Sequence, residues 1–246
     1  MKILLTNDDG INFEGIQILR KTLEKQKHHV TVFAPAIEKS ATSQAMTIYD
    51  DIYVKKVDTA TYIVNGYPVD CINIALHGEF VSPDFDLIIS GINKGVNMGD
   101  DIHYSGTVGA ARHAYIHNYP AIAISTEYIN GEGEFQKVSE FVAQFIEEYP
   151  HLWQEKILLN MNCPKNIIFD KKIKWTKLGS RIYRDKYKRT LLEQDTYLLN
   201  LGGSELNYKE REETDFEAFY QGFISVTPLT TDGTDYKLRE KYGCIQ

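Results

Sequence analysis

The chain has 246 residues, 43% hydrophobic and 25% charged, enough to bury a sizeable core without disulfide or metal staples. Lys and Arg number 27 against 34 Asp and Glu, a formal charge of −7, so there is no broad basic surface to grip polymeric nucleic acid through its phosphates. A single small phosphate ester held at a local site is still allowed. No apolar run approaches the roughly 18 residues of a membrane span, and the opening residues turn acidic too soon for a signal peptide. Cys71, Cys163 and Cys244 are scattered and form no C-x-x-C, which predicts reduced thiols in a cytoplasmic protein.

Residues 2–6 read as a short buried strand ended by a polar turn. From Gly15, Ile16, Leu19 and Leu23 recur at helical spacing, with Arg20, Lys21, Glu24 and Lys25 on the other face. Residues 30–34 form a second strand that Pro35 stops. Strand, helix and strand in about 35 residues make a βαβ unit, and with it a parallel sheet. Residues 47–64 hold two strand-like stretches split by Asp58, and 70–76 predict a helix. Residues 85–90 predict a buried strand and 91–106 a glycine-rich loop. A helix over 107–117, a strand over 121–125, a helix over 135–149 and a strand over 157–161 complete the series. After Cys163-Pro164 the style changes. Residues 171–201 read as extended hairpins rich in Lys, Arg and Tyr, 205–213 as a polar loop, 223–227 as a strand and 235–241 as a terminal helix. A core over 1–165 and a C-terminal extension over 166–246 follow.

Four stretches carry candidate chemistry. Thr6-Asn7-Asp8-Asp9-Gly10 directly follows the first strand, and in a parallel sheet ligands bind beyond the carboxyl ends of strands. Adjacent residues of a regular strand point to opposite faces, so Asp8 and Asp9 can address one ion only where the strand breaks into a turn, which Gly10 permits. A hard divalent cation would neutralise the pair; a solvated Asn-Asp-Asp-Gly turn is the competing reading. Ser90-Gly91-Ile92-Asn93 through Asp101 also leaves a buried strand, and its glycines and asparagines suit a backbone that bends sharply around a ligand. Tyr104-Ser105-Gly106-Thr107-Val108 opens a helix, whose N-terminus suits a phosphate if Ser105 does more than cap it. Lys39-Ser40-Ala41-Thr42-Ser43 places hydroxyls after the second strand.

Walker, G-x-G-x-x-G, D-x-D and G-x-S-x-G motifs are all missing at the required positions. His113 and His117 stand at i, i+4 on one helix without a metalloprotease Glu, which favours a plain helical surface over a zinc pair. The run Arg181, Arg184, Lys186, Lys188 and Arg189 reads as a solvated hairpin or an intersubunit face. Oxygen donors from several loops at one sheet edge favour Mg²⁺ or Mn²⁺ over zinc. Such an ion polarises a phosphoryl oxygen and lowers the pKa of bound water, so phosphomonoester hydrolysis follows as a hypothesis.

Residues 2–10, Ser90-Gly91-Ile92-Asn93 through Asp101, Tyr104-Ser105-Gly106-Thr107-Val108, and Ser225-Val226-Thr227-Pro228-Leu229 with Asp232 resemble the SurE family of stationary-phase survival proteins over essentially the whole chain. The resemblance implies a Rossmann-like α/β core with a mostly parallel sheet and helices on both faces. It also implies a C-terminal hairpin and helix extension exchanged between subunits of a homodimer or homotetramer, and a metal-dependent phosphatase of nucleoside 5′- and 3′-monophosphates. By the same resemblance Asp8, Asp9, Ser40 and Asn93 are the metal ligands. Asn97, Ser105, Gly106 and Thr107 belong to the phosphate side, and Asp8, Asp9 and Asn97 are the catalytic group. The chain departs from the family at Pro35-Ala36, where Pro-Asp is usual, at Ser40-Ala41, where Ser-Gly is usual, and at His113, near which an acidic residue is common. A nucleotide or anion sensor without turnover, a metal-dependent transferase, and activity on short polyphosphate all remain open at this level.

Overall fold

The computed structural model describes residues 1–165, 173–203 and 207–243. In chain order its elements are β1 (Lys2–Thr6), α1 (Glu14–Lys25), β2 (His29–Pro35), β3 (Val54–Lys56), β4 (Thr61–Val64), α2 (Pro68–His77) and β5 (Leu87–Lys94). A 3-10 turn (Gly99–His103), α3 (Gly106–Ile116), β6 (Ala121–Thr126), β7 (Tyr128–Ile129), β8 (Glu132–Gly133), α4 (Phe135–Glu148) and β9 (Leu158–Cys163) follow. The remainder holds β10 (Lys174–Trp175), β11 (Arg181–Ile182), β12 (Asp185–Glu193), β13 (Thr196–Gly203), β14 (Asn207–Tyr208), α5 (Asp215–Tyr220), β15 (Ser225–Pro228) and α6 (Tyr236–Tyr242).

The main sheet runs β10-β15-β9-β6-β5-β1-β2-β4-β3. From β9 to β4 all neighbours are parallel. β3 adds antiparallel to β4 at one edge, and β15 adds antiparallel to β9 at the other, with β10 parallel beyond it. Alternation along the strands divides the core in two. Ile3, Leu5, Val30, Val32, Leu87 and Ile89 pack with Ile16, Leu19 and Leu23 of α1 and Val138, Val142 and Phe145 of α4. Leu4, Phe33 and Ile88 pack on the opposite face with Cys71, Ile72 and Ala75 of α2 and Val108, Ala111 and Ala114 of α3. The α/β architecture expected from the sequence, helices on both faces of a mostly parallel sheet, is the one observed.

Three local features differ from the sequence reading. β5 runs on to Lys94 instead of ending at Ser90, with its register against β6 slipping between Ser90 and Asn93. Gly91 permits the slip, since its φ is +143° and a Cβ there would lie 2.4 Å from the Ile124 carbonyl oxygen. Helix α5 was not foreseen, being only six residues long. The two strands expected within 47–64 on either side of Asp58 do form, but the first begins only at Val54. The segment after residue 165 also contributes more than an appendage, because β15 and β10 extend the main sheet. Cys244, residues 171–172 of the expected hairpins and residues 205–206 of the expected loop lie outside the described residues. Among the described residues no helix is long and apolar enough to cross a membrane.

β1 lies between β2 and β5. The strand order therefore reverses at β1, and the crevice beyond the carboxyl ends of β1 and β5 is the place where open α/β sheets bind ligands.

Candidate active site

The turn after β1 is shaped by Asn7 and Gly10. The Asn7 side-chain amide donates to the Gly10 carbonyl at 2.9 Å. Gly10 takes φ +94°, and a Cβ there would approach the Ile37 carbonyl carbon to 3.2 Å. Asp8 and Asp9 project from this turn and both are buried. They are compensated from different directions. Thr107 donates its backbone N–H to Asp8 Oδ2 at 3.1 Å and its hydroxyl to Asp8 Oδ1, so the carboxylate sits on the N-terminus of α3, where the helix dipole favours negative charge. The Lys94 backbone N–H donates to Asp9 Oδ2 at 3.1 Å, and its ammonium stands 3.3 Å from Asp9 Oδ1 and 2.9 Å from Glu38 Oε2.

Burial pushes the Asp8 carboxyl up to about 6; the Thr107 hydroxyl pulls it down and the charge of Asp9 pushes it further up. Burial also raises Asp9, against the hydrogen bonds and charge of Lys94. Neither carboxylate is fully compensated by the protein.

Small residues bring the loop after β2 onto α3. A Cβ on Gly106 would meet Asp8 and the Thr42 hydroxyl at 3.0 Å, and one on Gly109 would lie 2.2 Å from the Ser43 carbonyl oxygen. Ser43 donates its N–H to the Tyr104 carbonyl and its hydroxyl to that of His103. This holds Ser40 at the rim, where its hydroxyl donates to Glu38 Oε1 at 2.7 Å. Asn93 uses its amide N–H on the Gly95 carbonyl at 2.8 Å, which leaves its side-chain oxygen as a neutral donor to an ion.

The structure brings Asp8, Ser40, Asn93, Asn97 and Ser105 together in the wall of one cleft of about 500 Å³. Asp9, Gly106 and Thr107 are not among the lining residues. Thr107 commits its N–H and hydroxyl to Asp8, and the Val108 N–H goes to the Ser105 hydroxyl, a helix cap. The N-terminus of α3 thus serves a carboxylate of the protein itself.

Residues not foreseen complete the cleft. Asn97 is clamped by β9: its N–H donates to Asn162 Oδ1 at 2.7 Å, and its carbonyl accepts from Asn160 at 2.8 Å and Asn162 at 3.1 Å. Its own side-chain amide donates to Ser125 at 2.8 Å. Two asparagines two residues apart in an otherwise apolar strand share one face, and that was the available signal. Arg181 is not a solvated hairpin residue. Its guanidinium is almost fully buried, pairs with Asp101 and lies 4.7 Å from the Phe216 ring centre, while Lys94, Asp101, Tyr104 and Tyr220 line the cleft with it.

The candidate donors Asp8, Asp9, Asn93 and Ser40 are all oxygens, and buried Asp9 Oδ1 has only the Lys94 ammonium beside it. Among the described residues no group of three or more His, Cys, Asp or Glu side chains converges as a metal site. Two carboxylates supplemented by neutral oxygens fit a hard divalent cation such as Mg²⁺ or Mn²⁺, and the set lacks the imidazole and thiolate ligands that zinc favours.

A raised folded-state pKa means that ionised Asp8 costs stability above about pH 6, a cost that vanishes as pH falls to the unfolded value. Asp8→Asn therefore stabilises the protein in EDTA at about pH 7.5, by roughly 3 kcal/mol or about 6–12 °C in differential scanning calorimetry. The Thr107 hydroxyl can turn from donor to acceptor and keep the new amide paired. Unchanged or lower stability would show that Asp8 is already compensated. Gly109→Ala forces the 39–44 loop off α3, with an expected cost of about 1–3 kcal/mol in urea denaturation.

The family model described as survival protein SurE matches residues 3–185. A protein named 5′-nucleotidase SurE from Leptospira interrogans serovar copenhageni is 46% identical over 239 residues, covering 97% of this chain and 95% of its own. One of the same name from Leptospira biflexa serovar Patoc is 41% identical, covering 96% of each chain. The crystal structure of the SurE protein from Aquifex aeolicus superposes with a TM-score of 0.83 at 31% identity, covering 98% of both chains. With motif, fold and full-length similarity in agreement, this chain belongs to the SurE family.

Proposed function

We propose that the cleft hydrolyses nucleoside 5′-monophosphates, and 3′-monophosphates, to nucleoside and inorganic phosphate, with one Mg²⁺ or Mn²⁺ per subunit. The observation that carries this reading is the charge of the site. Asp9 and Glu38 share the ammonium of Lys94, Asp8 is met by Thr107 and by no cation among the described residues, and Asp101 is already paired with Arg181. A phosphate dianion entering such a site is repelled unless a divalent cation offsets the carboxylates. Bound there, the ion supplies polarisation of a phosphoryl oxygen and a water of lowered pKa.

The protein's own residues do the rest by position. Thr107 and Lys94 hold Asp8 and Asp9 in place as ligands, with the oxygens of Asn93 and Ser40 completing the donor set. Asn97, fixed by Asn160, Asn162 and Ser125, presents its side chain to phosphoryl oxygens as charge develops. A group immobilised in this way gains from preorganisation, since it need not reorient during the reaction. Ser105, in the cleft wall, is on the phosphate side in this reading. A volume of about 500 Å³ admits a nucleoside monophosphate, and Tyr104 and Tyr220 in its wall offer ring faces to a base.

We further read the chain as a cytoplasmic homodimer or homotetramer. Cys71 and Cys163 are buried free thiols, in keeping with a reducing compartment. β12 and β13 form a two-stranded hairpin whose Tyr187, Leu191, Leu192 and Leu201 are each at least 60% exposed. Helix α6 buries none of its residues. Apolar surface of this kind marks an interaction face.

The test measures phosphate released from each nucleoside monophosphate with Mn²⁺, with Mg²⁺ and with EDTA. Release is expected only with metal, and Asp9→Asn is expected to lower it by about 100-fold or more with the circular dichroism spectrum unchanged. Nucleotide binding without any phosphate release would replace the enzyme reading with a sensor.

A further inference from the structure

Three imidazoles meet where the carboxyl ends of α2 and α3 lie side by side. His77 is the last residue of α2, His117 follows the last residue of α3, and His113 precedes it by one turn. His77 Nε2 and His117 Nδ1 are 3.2 Å apart. The His117 ring centre is 5.0 Å from that of His77 and 4.6 Å from that of His113. His113 is 9% exposed and its Nε2 is buried without a hydrogen-bond partner, whereas the His77–His117 contact is open to solvent.

We propose that His77 and His117 form a second metal site, for one borderline divalent cation of the Zn²⁺, Ni²⁺ or Cu²⁺ type, with water in the remaining positions. Two nitrogens bound to one such ion at about 2.0–2.1 Å in near-tetrahedral geometry stand about 3.3 Å apart. The observed spacing already matches this, and a turn of the exposed rings would let an ion take the place of the hydrogen bond between them. Both histidines stand at helix carboxyl ends, where unpaired carbonyls and the negative dipole end favour a cation. Metal ligation also requires neutral imidazole. Burial and the neighbouring ring of His77 hold His117 below the usual histidine range, the direction that favours the neutral ring. An imidazole donor set discriminates against Mg²⁺, which separates this site chemically from the cleft. It lies about 15 Å along α3 from Thr107. An ion here ties α2 to α3, the helix that holds Asp8.

The experiment uses the full chain carrying Asp9→Asn, which weakens the cleft as a competing site. Zn²⁺ is titrated calorimetrically, and Cu²⁺ is followed by electron paramagnetic resonance. One Zn²⁺ per subunit, nitrogen hyperfine structure from two imidazoles and a raised thermal transition are expected. Adding His77→Gln or His117→Gln should weaken Zn²⁺ binding at least about tenfold. The same two substitutions in the otherwise native chain should leave Mn²⁺-dependent phosphate release unchanged. Full Zn²⁺ affinity in both variants overturns the proposal. So does a loss seen only with His28→Gln, whose Nδ1 lies 3.4 Å from the amino terminus, or only with His113→Gln.

Discussion

Two consecutive carboxylates buried at the end of a strand repel each other and lose hydration together, and the rest of the structure is arranged around that cost. The strand order provides the answer. Because β1 lies between β2 and β5, the amino end of α3 and the carboxyl end of β5 both reach the turn at Asp8 and Asp9. Asp8 takes the helix end through Thr107, and Asp9 takes the strand end and ammonium of Lys94. The compensation is partial, as the raised pKa of both acids attests. Complete neutralisation by the protein would leave no drive to bind a cation.

The second constraint falls on the glycine-rich stretch that faces those acids. Its backbone is irregular, so its N–H and C=O groups must find side-chain partners. Asn160 and Asn162 of β9 pair both backbone groups of Asn97. Asp215, at the start of α5, accepts from the backbone N–H groups of Gly99, Gly179 and Phe216 at 2.7, 2.8 and 2.9 Å. Arg181 and Tyr183 both bond Asp101. The segment after residue 165 is thereby joined to the loop that lines the cleft, besides supplying β15 and β10 to the sheet. Burial raises Asp215 although three N–H groups favour its charge, a sign of how deeply this anchor is set.

Much of this was legible in the sequence. Apolar runs at periods of two and 3.6 located β1, α1, β2, α3, β6 and α4, since each buries a face whose pattern is local. Asp8, Asp9, Asn93 and Asn97 stood out because polar and glycine residues directly after buried strands have no role in the core. What could not be read were the partners. Thr107 is 99 residues from Asp8 and Lys94 is 85 from Asp9, and their pairing follows from sheet order. Arg181 looked like any charge in a basic run, since nothing local distinguishes a solvated guanidinium from one stacked on Phe216. The continuation of β5 past Gly91 was hidden for a related reason: a glycine that signals a loop also serves a strand that must pass close to its neighbour.

Helix α3 links these features. Its first turn carries Gly106 and Gly109, which let the Ser40 loop and Asp8 pack against it. Its N-terminal dipole acts on a carboxylate, and its last turn and cap carry His113 and His117. The carboxylate at the start complements the macrodipole, whereas the imidazole of the last turn contributes no charge to the other end. The family resemblance places an acidic residue near position 113, whereas this chain has a buried histidine with an unpaired nitrogen. Burial, with the neighbouring rings of His117 and His77, pushes that imidazole down to about 4, so it is neutral at neutral pH. The carboxylate that α3 does hold is that of Asp8, at its opposite end.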